Sequence, residues 1–293
     1  MELVYLRLGS IIAIALIYMI FDVFNKRNIP TVFVYATLAY GIAMTILYLD
    51  TYTILFSAGV AIAILAVGYV VYKIGQLGAA DIIEIAAISL ILPIQNIIQL
   101  QAQLFQSMPF VLSVVIDSGI VALVMVPFYY IPRSYSILGR DFLSKVDRRD
   151  IRRSLTAFAA YSVFFLFLIY YGISTVGFLI MVIAIVCVAV ITLFERPMTL
   201  SMISYQKPDK IDQEDIIAVN LMSKKTVSEI RKRVPEFGRL MTKELIGDLR
   251  RKEPDIRLPV YRNAIPFALP IFVGVILALF VGNLLAFIVP LGM

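Results

Sequence analysis

Apolar residues run through this chain in long unbroken stretches, with polar residues gathered between them. Runs of spanning length cover about 3–21, 31–49, 52–74, 109–131, 154–172 and 174–194, and another covers about 264–290. A shorter run, 80–93, ends at Pro93 and crosses a bilayer only with flanking residues, or as a tilted or partly unwound helix. Counting it gives eight spans. The pattern predicts an all-α polytopic membrane protein of about eight transmembrane helices with a small cytosolic domain. The first run follows Met1-Glu2 without a basic n-region and leads into further spans, so it reads as a retained helix. The expected organisation is a membrane core over 1–131 and a basic cytosolic loop over 132–153. An additional transmembrane hairpin over 154–194, a cytosolic domain over 195–263 and a C-terminal transmembrane helix over 264–293 complete it.

The polar intervals fix an orientation. With Met1 outside, the intervals 22–30, 75–80, 131–153 and 195–263 lie inside, and with their immediate flanks they hold every Lys and Arg except Arg7. The opposite connections, near Asp50, at 94–108 and at Ile173, hold none. The interval 94–108 carries Ile94, Ile97, Ile98, Leu104 and Phe105 near one helical face among Gln and Asn. It reads as an uncharged interfacial helix or as a plain polar connection. Within 195–263, Thr226-Val227-Ser228-Glu229 has the form of a capping box. Ile230, Val234, Phe237, Leu240 and Met241 follow at helical spacing, with Pro235 as a break or kink, and Asp255 to Tyr261 reads as a short strand.

Composition narrows the chemistry. Of 293 residues, 61% are hydrophobic and the mean hydropathy is +0.91, values outside the soluble range for this size. Histidine is absent, which excludes an HExxH zinc site, a Ser-His or Cys-His nucleophile pair and a His relay. The single Cys187 lies in mid-span as a small apolar filler. The net charge of +6 resides in the loops and points to anionic lipid rather than nucleic acid.

Two carboxylates stand out against this background. Asp22 closes the first run and precedes Lys26 and Arg27; Asp81 opens the fourth, after Gly75 and Gly78. An ionisable residue near hydrocarbon is a functional-site candidate. Taken singly, each has a plain alternative. Asp22 marks the interface and pairs with the cations that follow; Asp81 caps a helix over 82–93. Taken together on the cytosolic side, they make an aspartyl-protease pair, because like charges in contact cannot both ionise. Gly75, Gly78 and Asp81 share one face if helical, and small residues there admit a close neighbour. Glu84 falls one turn after Asp81 and adds a third carboxyl.

These residues carry a resemblance. The chain resembles the archaeal preflagellin and type IV prepilin peptidases, the GxGD class of membrane aspartyl proteases. Asp22 followed by Arg27-Asn28-Ile29-Pro30 is similar to the first motif, and Gly78-Ala79-Ala80-Asp81 to the second, with Ala80 in place of its second glycine. Ile83 stands where the family often has a basic residue. Arg257 to Pro270 is similar to the lead-in and Pro-rich start of the last helix. The similarity covers 1–131 and 255–293. It implies a six-helix core, to which 154–194 adds a hairpin. It also implies catalytic Asp22 and Asp81, with Gly75, Gly78, Ala80, Glu84, Lys26 and Arg27 as substrate-binding or supporting residues. The implied activity is cleavage of leader peptides from archaellin- or pilin-like precursors at the cytosolic face of the cell membrane, with no metal or organic cofactor. The cysteine-rich loop of the methylating relatives is missing, so peptidase activity alone is expected.

Two other readings stay open. A presenilin-like or signal-peptide-peptidase-like protease would carry Tyr-Asp and Pro-Ala-Leu, where this chain has Phe21-Asp22 and Pro266-Phe267-Ala268-Leu269. An ion-coupled transporter or channel would use Asp81, Glu84 and Asp117. No inverted repeat is visible, and Asp117 is assigned a structural hydrogen bond.

Overall fold

Prolines and glycines mark where many of the helices start and stop. The computed structural model describes residues 2–25, 29–47, 50–74, 77–93, 109–170, 172–213, 215–261 and 266–288. The first half of the chain forms α1 (Glu2–Phe24), α2 (Thr31–Ile46), α3 (Thr51–Ile74), α4 (Ala79–Ile91) and α5 (Phe110–Leu138). A short α6 (Asp141–Ser144) then leads to α7 (Arg148–Tyr170), α8 (Thr175–Leu193) and α9 (Glu195–Met202). The remainder contains β1 (Ile203–Gln206), α10 (Lys224–Arg233), α11 (Lys243–Lys252), β2 (Leu258–Tyr261) and α12 (Ala268–Phe280).

The protein is mostly helical, and α1, α3, α5, α7 and α8 are each long and apolar enough to cross a membrane. The expected count of eight divides at this point. The other three apolar helices are short: α2 has 16 residues, and α4 and α12 have 13 each. At 1.5 Å per residue, α4 and α12 measure about 20 Å, against about 30 Å of hydrocarbon. The expected helix over 264–290 ends early, at Phe280. Gly282, at φ 84°, turns the chain in a left-handed conformation, and a 3-10 turn follows over Leu284–Phe287. The expected loop over 132–153 is shorter than its charge pattern indicates. α5 continues through Pro132 to Leu138, and α7 already begins at Arg148. Basic residues set where hydrocarbon ends, but a helix can run on into the headgroup layer. The segment 94–108 lies outside the described residues.

The short α4 lies at the centre of the bundle, in contact with α1, α2, α3 and α5. Its Ala86, Ala87, Ile88 and Ile91 have no exposed surface, which is why this stretch is apolar on every face. Small residues let its neighbours approach. A Cβ on Gly41 of α2 would stand 3.2 Å from the Ala87 carbonyl oxygen, and one on Gly68 of α3 would collide with Ile82. Likewise, Gly274 of α12 lies directly against Ser118 of α5. Cys187 is buried in α8, in the filler role expected of it.

A second core gathers Ile217, Ile230, Val234, Phe237, Met241, Leu249, Leu258 and Val260. Strand β1 pairs antiparallel with β2, as Ser204 with Val260. On the other side of β2, the Tyr261 amide donates to Ile216 O at 2.9 Å, and the Ala218 amide donates to Pro259 O at 2.8 Å. The start expected for α10 is corrected by three residues. Ser223 rather than Thr226 is the N-cap, accepting from the Thr226 amide at 3.0 Å. The helix stops before Pro235, so Phe237 and Met241 reach this core from the following turn rather than from one continuous helix.

Arg7, the cation that broke the charge asymmetry, is 2% exposed. Its guanidinium donates to Met44 O at 2.7 Å and to Ile91 O at 3.0 Å. Those carbonyls belong to the last turns of α2 and α4, where a helix runs out of its own amides. Thr45 joins the same two ends by donating to Leu90 O at 2.8 Å. One planar, permanently charged fork therefore closes two helix C-termini, where positive charge is also favoured by the helix dipole. Replacing Arg7 by Met is expected to lower stability by about 1–3 kcal/mol for each carbonyl left without a donor. Arg7→Lys should recover only part of that loss, because a point charge does not span both acceptors. Thermal unfolding of the purified protein in detergent measures both changes; an Arg7→Met midpoint equal to wild type would contradict the role.

Candidate active site

Helix α1 turns one stripe inward: Arg7, Ile11, Ile14 with Ala15, Tyr18 and Asp22, spaced three or four residues apart. The stripe has a cation at one end and a carboxylate at the other. Asp22 is 8% exposed, and its Oδ2 accepts from the Ala268 amide at 2.9 Å. Ala268 is the first residue of α12, and Pro270, two residues on, has no N–H to satisfy. The carboxylate of α1 thus supplies an acceptor to an open helix N-terminus, a placement that the helix dipole favours. Phe33, in the first turn of α2, packs on Tyr18 and Phe21 with ring centroids 5.2 and 5.6 Å away. These contacts hold the end of α1 against the start of α2.

Asp81 enters from α4. The expectation that Gly75, Gly78 and Asp81 share a helical face is not met. Gly78 has φ −73° and ψ 150°, an extended residue just before the helix, and α4 starts at Ala79 rather than at 82. Asp81 is therefore the third residue of α4 and not its cap; its Oδ2 accepts from the Gly78 amide at 3.3 Å. Any L-residue can adopt the Gly78 conformation, so space is the constraint. A Cβ there would stand 3.1 Å from Asp81 Oδ2. Ala80 and Ile83 are half-buried and both pack on the bundle core. Gly75, Lys26 and Arg27 lie outside the described residues.

The structure brings Asp22, Asp81 and Glu84 together, within Coulombic reach of one another. Asp81 retains some exposure, whereas Glu84 is fully buried and neither of its oxygens has a hydrogen-bond partner. Tyr18, which sequence reasoning passed over, is also fully buried and within Coulombic reach of Asp81 and Glu84. Its hydroxyl sits near Thr37 without satisfactory hydrogen-bond geometry. Its spacing of four from Asp22 was the available signal. Asp117 does not join this group. Its Oδ1 accepts from the Leu284 amide at 2.9 Å, just beyond the far end of α12 from Asp22. This is the structural hydrogen bond assigned to it.

What the arrangement can do follows from its parts. Two carboxyls from different helices lie within Coulombic reach of each other, one accepting from a backbone amide of α12 and the other in the first turn of α4 after Gly78. No family model, curated protein or solved structure matches this chain.

The cap on α12 can be separated from any chemistry at Asp22. Asn keeps an oxygen acceptor and Ala does not. Asp22→Ala is expected to cost about 0.5–2 kcal/mol, the range of a lost N-cap, and Asp22→Asn much less. Equal destabilisation by both, measured by thermal unfolding, would mean that the charge rather than the hydrogen bond holds α12.

Proposed function

We propose that the chain is a membrane aspartyl endopeptidase in which Asp22 and Asp81 act as the general acid–base pair. The observation that carries this reading is their convergence at one end of the bundle from α1 and α4, helices separated in sequence by two others. In such a pair one carboxylate takes a proton from water as the oxygen attacks the peptide carbonyl, while the other carboxyl donates its proton to the carbonyl oxygen. The tetrahedral intermediate then collapses. The first group returns its proton to the leaving nitrogen, the second recovers its own, and both start again.

The substrate class proposed is the leader peptide of archaellin- or pilin-like precursors. A basic leader stays in the cytosol while the apolar segment after it enters the bilayer, so the bond between them lies at the inner interface. The asymmetry of Lys and Arg supports a cytosolic position for the Asp22 end, and the buried Arg7 fork removes the one exception to it. The enzyme is accordingly proposed to be a multi-pass protein of the cell membrane, with eight membrane-embedded helices and the 195–263 unit in the cytosol. An ion path through Asp81, Glu84 and Asp117 is disfavoured, because Asp117 binds Leu284 at the opposite end of α12 from Asp22.

Two measurements test this function. With a pilin- or archaellin-like precursor in purified membranes, Asp22→Asn and Asp81→Asn should each lower cleavage by about 10²–10⁴-fold. Asp117→Asn, which keeps an acceptor for Leu284, should cleave as wild type does. Full cleavage by either dyad variant would end the protease reading. In sealed cells, single cysteines placed in 131–153 or 195–263 of a Cys187→Ala protein should resist an impermeant thiol reagent until the membrane is opened. Labelling of intact cells would invert the topology.

A further inference from the structure

Each aspartate has a buried polar side chain one helical turn deeper in the bundle. On α1 it is Tyr18, four residues before Asp22; on α4 it is Glu84, three residues after Asp81. Because α1 and α4 run in opposite directions here, these opposite offsets lead the same way, from the open end towards the bundle centre. Tyr18 and Glu84 are both fully buried and lie within Coulombic reach of each other. The Tyr18 hydroxyl and both Glu84 oxygens have no direct hydrogen-bond partner. Three orphaned polar atoms in one place are unusual, since buried polar groups are nearly always satisfied. An ordered water among them is the ordinary solution where direct geometry fails.

We propose that Tyr18 and Glu84, joined through water, form a second polar tier that positions the Asp22–Asp81 pair and holds a proton beneath it. This deepens the aspartyl-protease reading and rests on it for its catalytic consequence. The surroundings support the assignment. Thr37 of α2 lies beside the phenol, but its only hydroxyl proton is committed to Phe33 O at 2.9 Å. The one other ionisable side chain of α2 that packs on this core is Tyr40. Helix α12 carries no ionisable side chain, and the buried carboxyl of α5, Asp117, is occupied at the far end by Leu284. The cation of α3, Lys73, is exposed and sits over the Tyr69 ring. Among the described residues, no cluster of Asp, Glu or Cys is arranged to hold a metal ion. Glu84, fully buried with no hydrogen-bond or ion-pair partner among the described residues, is too costly to hold as an anion and keeps its proton. Glu84 is the member with no backbone amide to favour its charge. Its hydroxyl would then donate towards Asp81 through water, and its carbonyl would accept from Tyr18.

The deciding experiment reads Glu84 without relying on activity. Infrared spectra of the purified protein in lipid should contain a protonated-carboxyl C=O band that Glu84→Gln removes and Asp117→Asn does not. Tyr18→Phe should move that band to higher frequency as its hydrogen bond weakens. If Glu84→Gln does not fold, Glu84→Met takes its place. A band that the Glu84 variant leaves in place, or that Tyr18→Phe does not move, overturns the tier whatever the activity. With a precursor substrate, Glu84→Gln and Tyr18→Phe should each lower kcat about 10- to 100-fold with little change in KM, as expected for misplacement of reacting groups. Each should shift the pH profile, and the double variant should be no worse than the weaker single, because the pair acts as a unit. Wild-type rates and an unshifted profile in both would show that the tier does not position the dyad. Dyad variants that still cleave would instead refute the peptidase, leaving the infrared result to stand by itself.

Discussion

A helix that ends inside an apolar bundle leaves backbone groups that water cannot reach, and much of this structure is organised around closing them. Three of the central helices are too short to bring both ends comfortably to water, so their termini need partners from the protein. Arg7 closes the C-termini of α2 and α4, Asp22 closes the N-terminus of α12, and Asp117 holds the amide that follows the α12 turn. Ser174 does the same for the 3-10 turn, donating to Phe287 O at 2.5 Å. Charge follows helix polarity in the Arg7 and Asp22 cases: the cation meets carbonyls and the carboxylate meets an amide. These are the costly residues of the apolar segments, and each is accounted for by a backbone group.

Glu84 stands apart from that pattern. It is as deeply buried as Arg7, yet no terminus claims it. A residue that costs free energy to bury and closes nothing needs another reason to be there. Its place beneath Asp81, with Tyr18 beneath Asp22, supplies one. The core around it is apolar and closely packed by Ile85, Ile88 and Ile91, so the polar tier has little solvent to compensate it. The bland explanation, a tolerated surface carboxylate, fails on burial alone.

Much of the fold was legible because lipid imposes a simple rule on sequence. The runs that became α1, α3, α7 and α8 were bounded to within a few residues, apart from the start of α7. Errors arose where length and hydrophobicity stop being sufficient. The end of α12 depends on Gly282 adopting a left-handed conformation; Gly282-Asn283 is a stop signal in the sequence, but the apolar run on either side of it hid the break. The length of α5 depends on a helix tolerating Pro127 and Pro132, which propensity alone argues against. At α10, Ser223 and Thr226 are both good caps, and only the backbone distinguishes them. Of the candidate site, the two aspartates and the neighbouring glutamate could be picked out in the sequence. Tyr18 was missed: its spacing of four put it on the Asp22 face of α1, but one tyrosine among sixteen stands out only once that face is known to be buried.

On the proposed reading, Asp22 combines a structural duty with a chemical one. Binding the Ala268 amide occupies one direction around Oδ2 and fixes the carboxyl plane relative to α12. A carboxylate has about four acceptor positions, so a structural bond and a second role are compatible in one side chain. A fixed group also loses less freedom on entering a reaction than a mobile one, which is an advantage in catalysis. Among the described residues, Asp81 is anchored by a 3.3 Å contact to the amide of Gly78, the residue just before its own helix. On the proposed reading, the better-held carboxyl is suited to define the geometry and the looser one to adjust to a peptide. That asymmetry follows from the two helix ends: Asp22 closes the N-terminus of another helix, whereas Asp81 lies in the first turn of its own.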